Sequence, residues 1–160
     1  MKILIVYDSF FGNTEKIALE IGKALESSND VQIHKVDKVN REYLSGLDLL
    51  IVGSPTRAFK PSPAISKFLK SIPKDGLNGV KTAAFDTRMS THDVNVRIYT
   101  AFVKVFDYAA SSIARKMKKK GAILIAEPEG FLVKDSEGPL KEGELKRTAE
   151  WGKRISSISS

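Results

Sequence analysis

Apolar positions along the chain switch between two textures. Ile3 to Tyr7 is an unbroken apolar run, rich in β-branched residues and free of alternation, the texture of a strand buried on both faces of a parallel sheet. Leu47 to Val52, Val80 to Phe85 and Ala122 to Ala126 repeat it, while Val31 to Val36 alternates apolar and polar side chains as an edge strand does. Between these runs the period lengthens to that of a helix. Ile17, Ala18, Ile21, Ala24 and Leu25 predict a helix over about 14–27. Ile65, Phe68, Leu69 and Ile72 predict a second, capped by Ser62 and opened by Pro63. Tyr99, Phe102, Phe106, Ala110, Ile113 and Met117 predict a third that stops at Gly121, and the inner face of the last includes Leu145, Ala149 and Ile155. Residues 40–46 have room for a short helix, and Glu127-Pro128-Glu129-Gly130 interrupts the fifth strand before it resumes at Phe131. Strands alternating with helices predict one α/β domain over 1–160, a doubly wound five-stranded parallel sheet in order 2-1-3-4-5 with helices on both faces.

The junction between the first strand and the first helix carries the chemistry. Asp8 and Ser9 end the apolar run, Phe10, Phe11 and Gly12 turn the chain, and Asn13-Thr14 opens the helix. Such a turn sets free backbone N–H groups and hydroxyls at the positive end of a helix dipole, which makes an anion site. Neither Gly-x-x-x-x-Gly-Lys-Ser/Thr nor a post-strand Gly-x-Gly-x-x-Gly occurs, so the common nucleotide loops are excluded. The segment Ser9-Phe10-Phe11-Gly12-Asn13-Thr14, with small Ala18 four residues on, resembles the phosphate loop of flavodoxins, Ser/Thr-x-Thr-Gly-Asn-Thr. It departs at Phe11, where a hydroxyl is usual.

That resemblance covers the whole chain, and the uninterrupted passage through strand five resembles the short-chain class. It implies flavin mononucleotide (FMN) as cofactor, with its phosphate in residues 9–14. The second flavin loop is then Ser54, Pro55, Thr56, Arg57, Ala58 and Phe59, whose Gly-Ser-Pro-Thr-Arg start is similar to that of flavodoxin-type quinone reductases. The third follows Asp86, Thr87 and Arg88 as far as Asp93. By the same resemblance, Phe59 offers one face to the ring, with Met89, His92 or Tyr99 on the other, and Trp151 packs in the core. Residues 54–62 lack the Gly at which flavodoxins commonly flip a peptide toward flavin N5, and Arg57, Lys60 and Arg88 outweigh Asp86 and Asp93. Both departures favour a higher-potential flavin exchanging two electrons.

Composition narrows the field further. The 160 residues are 42% hydrophobic and 28% charged, as in a globular protein. With no cysteine, disulfides, thiolate metal sites and cysteine nucleophiles are excluded. No apolar run approaches the ~20 residues that span a bilayer, and Met1-Lys2-Ile3 opens directly into a strand, so a cytoplasmic location without a cleaved signal is expected. The net charge of +7 is concentrated in Arg115-Lys116 and Lys118-Lys119-Lys120, where no interleaved aromatics accompany it. That cluster reads as a solvated helix end rather than a nucleic-acid face. Surplus apolar residues Val96, Val103, Val105 and Tyr108 leave monomer and homodimer open.

Three functions remain. The first is an FMN-binding electron-transfer protein serving a redox partner or a small acceptor such as a quinone. The second is an NAD(P)H-dependent quinone or flavin reductase, with Arg57 or Arg88 as the handle for the nucleotide. The third is a flavin-free binding module. A phosphorelay receiver is excluded because Gly53-Ser54 stands where its aspartate would be. No spacing singles out a proton donor among Asp8, Asp86 and His92, and no metal set is present.

Overall fold

The computed structural model describes residues 1–90 and 108–159. Its parallel sheet is built from β1 (Lys2–Tyr7), β2 (Asp30–Lys35), β3 (Leu49–Pro55), β4 (Lys81–Met89), β5 (Ile123–Leu124) and β6 (Glu129–Val133). The order is β2-β1-β3-β4-β5, with β6 also pairing β4, so the predicted topology holds and the fifth strand is split in two. Around it lie α1 (Asn13–Leu25), α2 (Pro63–Ser71), α3 (Ala109–Lys118) and α4 (Glu144–Ser159). The short helix allowed over 40–46 is a 3-10 turn, Arg41–Leu44, capped where the Asn40 side chain accepts from Glu42 N–H. The predicted helical stripe at Tyr99, Phe102 and Phe106, together with His92, Asp93, Val96, Val103 and Val105, lies outside the described residues.

Period-two alternation divides the strand residues between two cores. Leu4, Val6, Leu50, Val52 and Ala84 face α2 and α3, where Ile65, Phe68, Leu69, Ile113 and Met117 cover them. Ile3, Ile5, Leu49, Ile51, Ala83 and Phe85 face α1 and α4, under Ile17, Ile21, Leu25, Trp151 and Ile155. Every central strand is thus buried on both sides, which is why these runs show no polar alternation. Trp151 is a core residue, edge-on to Phe85 and Phe131 with ring centroids 6.3 and 6.0 Å away. Gly53 makes room for the Phe85 ring, which a Cβ would strike.

One expectation needs correction. Leu145 is 44% exposed, because the inward phase of α4 runs through Glu144, Thr148, Trp151, Gly152 and Ile155. β2 is the expected edge strand: Val31 and Ile33 pack against the core, although no residue in it is fully buried, and His34 leans on Tyr43 with ring centroids 4.7 Å apart.

Candidate functional site

β1, β3 and β4 end on the same edge of the sheet, the side on which ligands bind in open α/β folds. After β1, the buried Asp8 carboxylate accepts from Ser9 N–H at 2.9 Å, and Ser9 Oγ accepts from Gly12 N–H at 3.0 Å. Gly12 has φ +85°, a left-handed conformation that only glycine adopts at little cost, and it turns the chain into α1. Thr14 and Thr87 are buried and share a 2.8 Å hydrogen bond between hydroxyls, tying the first loop to β4. Asn13 Nδ2 donates to Glu137 carbonyl at 3.0 Å, which draws in the segment after β6. Phe10 and Phe11 remain about half exposed.

The second loop is a two-residue hairpin. Arg57 and Lys60 exchange both backbone hydrogen bonds, at 3.1 and 2.9 Å, and the residues between them, Ala58 and Phe59, have φ of 46° and 63°. Two positive φ angles are the mark of a type I′ turn, which prefers Asn-Gly. Here two side chains bear the strain, of about 1 kcal/mol or more each.

In the third loop Asp86 is fully buried and forked to Arg88, with Nε–Oδ1 2.6 Å and Nη2–Oδ2 2.7 Å. Ala110 N–H at the start of α3 donates to the same carboxylate at 2.8 Å. Burial pushes the Asp86 carboxyl above its ordinary range, while Arg88, Ala110 N–H and the Thr56 hydroxyl pull it back. The Arg88 guanidinium lies 3.7 Å from the Tyr108 ring centroid, and Phe59 meets Tyr108 at 6.1 Å. Gly130, opposite Asp86 in the register, leaves the space that this guanidinium fills.

These loops enclose one open cleft of about 680 Å³, including its mouth. Of the predicted site residues, Ser9, Phe10, Phe11, Asn13, Thr14, Pro55, Thr56, Arg57, Ala58, Thr87 and Arg88 line it. Gly12, Ser54, Phe59 and Asp86 do not. Ser54 lies beneath the cleft: its buried hydroxyl donates to Pro55 carbonyl and accepts from Ser62 N–H, so it shapes the loop from below. Gly12 and Asp86 act in the same indirect way, through turn geometry and through Arg88. Met89 and Tyr108 also line the cleft, as do Val133 and Ser136, which the sequence reading missed. The available signal was the break at Glu127–Gly130, which delays β6 and carries its far end over the first loop.

The flavodoxin-domain family profile matches residues 4–127. The chain belongs to the flavodoxin family. A flavodoxin from Clostridium saccharobutylicum is 30% identical over 92 residues, a match spanning 56% of this chain and 58% of that relative. A flavodoxin from the domain Archaea superposes with a TM-score of 0.75 at 25% identity, covering 99% of each chain. Oxidised flavodoxin 1 from Bacillus cereus superposes at 0.77 with 20% identity over 98% of each, a likeness of fold.

FMN is the cofactor of flavodoxins, and the donor set of this cleft fits it. Among the described residues no carboxylate lines the cleft, whereas the hydroxyls of Ser9, Thr14 and Thr87 and two arginines do. The first-turn N–H groups of α1 point toward the Ser9–Asn13 loop, as a phosphate requires. Tyr108 and Met89 offer apolar surface for a flat ring.

Proposed function

We propose that the protein binds FMN in this cleft and passes electrons between a redox partner protein and an acceptor in the cytoplasm, a quinone being one suitable small acceptor. The observation that carries the reading is a cleft that no carboxylate lines among the described residues, and whose hydroxyl-rich first loop sits on the N-terminus of α1. Bound FMN supplies the electron-accepting and electron-donating chemistry. Residues 9–14 would hold its phosphate, and Pro55, Thr56 and Ala58 with Thr87, Arg88 and Met89 would flank its ring. Arg88, neutralised by Asp86 beneath it, gives that ring a fixed donor without a full positive charge. The strained turn at Ala58 and Phe59 is already left-handed, so a further peptide rotation there has no glycine to ease it. This supports two-electron over one-electron exchange.

Adding FMN to the apoprotein should quench the flavin's fluorescence at a one-to-one endpoint. Anaerobic stepwise reduction of the loaded protein should then bleach the visible bands without a long-wavelength band that rises and falls. Such a transient band would overturn the two-electron reading, and failure of FMN to bind would overturn the function itself. Oxidation of NAD(P)H with a quinone present would identify the protein as a reductase.

A further inference from the structure

Among the described residues the cleft holds two arginines, and one of them has committed its donors. Arg88 places its Nε–H and Nη2–H on Asp86. Arg57 is exposed, and among the described residues its guanidinium makes no hydrogen bond or ion pair. It is nevertheless held in place, lying 5.1 Å from the Phe10 ring centroid and 5.4 Å from that of Phe11. A guanidinium held over two rings keeps its N–H groups available, because an aromatic face occupies none of them as a hydrogen-bond acceptor would. The second loop thus reaches across the cleft mouth and sets a planar cation on the first.

The first loop has a deficit that this cation matches. Several of its donors are engaged within the protein: Ser9 N–H on Asp8, Gly12 N–H on Ser9 and Asn13 Nδ2 on Glu137. Phe11 contributes no hydroxyl. The charges closest in sequence include two carboxylates, Asp8 and Glu15, and a dianion seated there needs a counter-charge. Lys16 is exposed on α1, whereas Arg57 is pinned to the rings of the loop itself.

We propose that Arg57 is the phosphate-reading residue of the site, donating to the terminal phosphate of a flavin nucleotide seated on residues 9–14. The cleft then separates phosphorylated from unphosphorylated flavin by charge as well as by backbone N–H groups, with Phe10 and Phe11 as positioning residues for the guanidinium. This rests on the flavin reading above.

The test is fluorescence titration of the apoprotein with FMN and with riboflavin, for wild type, Arg57→Gln, Arg57→Lys and Phe11→Ala, at low and high salt. Loss of one charge-assisted contact should weaken FMN binding roughly ten- to a hundredfold in Arg57→Gln. Riboflavin binding should stay within about twofold, as expected where no contact is lost. Lysine should restore part of the FMN preference, and Phe11→Ala should lose part of it. The salt dependence of FMN binding should be shallower in Arg57→Gln than in wild type. Equal weakening of both flavins would make Arg57 a ring contact and overturn the proposal, as would unchanged FMN binding with weakened NAD(P)H binding. If the wild type binds neither flavin, the functional reading fails and this inference fails with it. Arg57 is exposed, and unchanged circular dichroism and melting would exclude misfolding as the cause.

Discussion

Arg57 and Arg88, which both line the cleft, carry the same charge in opposite settings. Arg88 grows from a strand, shares a face with Asp86 two residues back, and is clamped by a carboxylate with no exposure. Arg57 grows from a strained hairpin and rests on aromatic faces that satisfy none of its N–H groups. The first arrangement spends a cation on architecture, tying β4, the start of α3 and Tyr108 together beneath the cleft. The second leaves a cation exposed at the cleft mouth. Charge near a site therefore says little about electrostatics until the partner of each charge is known.

Breaking the clamp should have the largest effect. Arg88→Ala leaves Asp86 buried with only Ala110 N–H and Thr56 for company, a loss expected to cost about 3–5 kcal/mol in denaturant unfolding. The double variant Arg88→Leu with Asp86→Leu should recover much of that loss, because no buried charge remains. Arg57→Ala should change stability by less than about 0.5 kcal/mol, as expected for an exposed side chain. If Arg57→Ala destabilises the fold as much as Arg88→Ala, the contrast between the two is wrong.

Acid should sharpen the contrast through a third arginine. Arg147 forks Glu144 at 3.0 and 2.7 Å, and Leu132 N–H donates to the same carboxylate at 2.6 Å. Burial disfavours the Glu144 charge, but Arg147, the Leu132 N–H and Lys141 outweigh it and hold the carboxyl below its ordinary 4.5. A depressed carboxyl contributes stability above its unfolded pKa that fades as pH falls through the folded value. Asp86 is displaced upward, chiefly by burial, so its contribution is present at low pH and lost as pH rises. Glu144→Gln should therefore flatten the loss of stability below pH 4.5, whereas Asp86→Asn should leave that acid limb in place. Urea midpoints measured from pH 3 to 7 would separate the two.

The smallest expected effect lies in the hairpin that carries Arg57. Ala58→Gly removes a Cβ from a left-handed position and should stabilise by about 0.5–1 kcal/mol. The same change should loosen Arg57, so a gain in thermal stability accompanied by weaker FMN binding would tie the strain to the site. A loss of stability would mean that the turn holds these angles without strain.

The fold was readable because its signals are local. Ile3 to Tyr7 followed by Gly12-Asn13-Thr14 dictates strand, turn and helix from adjacent residues. The doubly covered strands declare themselves by lacking alternation. The clamp was readable in principle, since Asp86 and Arg88 at a spacing of two on a strand share a face, yet nothing local says that they pair rather than point to solvent. Tyr108, Val133 and Ser136 were out of reach for a different reason. Their place in the cleft depends on where α3 begins and how far β6 slides along β4, and both are set by long-range packing. Leu145 was misjudged because a helix phase read from three residues is sensitive to where its first turn starts.

The interrupted fifth strand has a consequence beyond shaping the cleft. Lys81 and Thr82 of β4 pair with Ile123 and Leu124, and pairing resumes only at Phe85 with Glu129, so two residues of β4 face four on the outer strand. The surplus breaks the border of the sheet into pieces of two and five residues, with Pro128 in the gap supplying no N–H. Ile123, 52% exposed on that border, would otherwise belong to a long apolar ribbon with open hydrogen-bonding groups. A border of this kind gives another chain no continuous register to copy, which guards the protein against self-templated aggregation at high concentration.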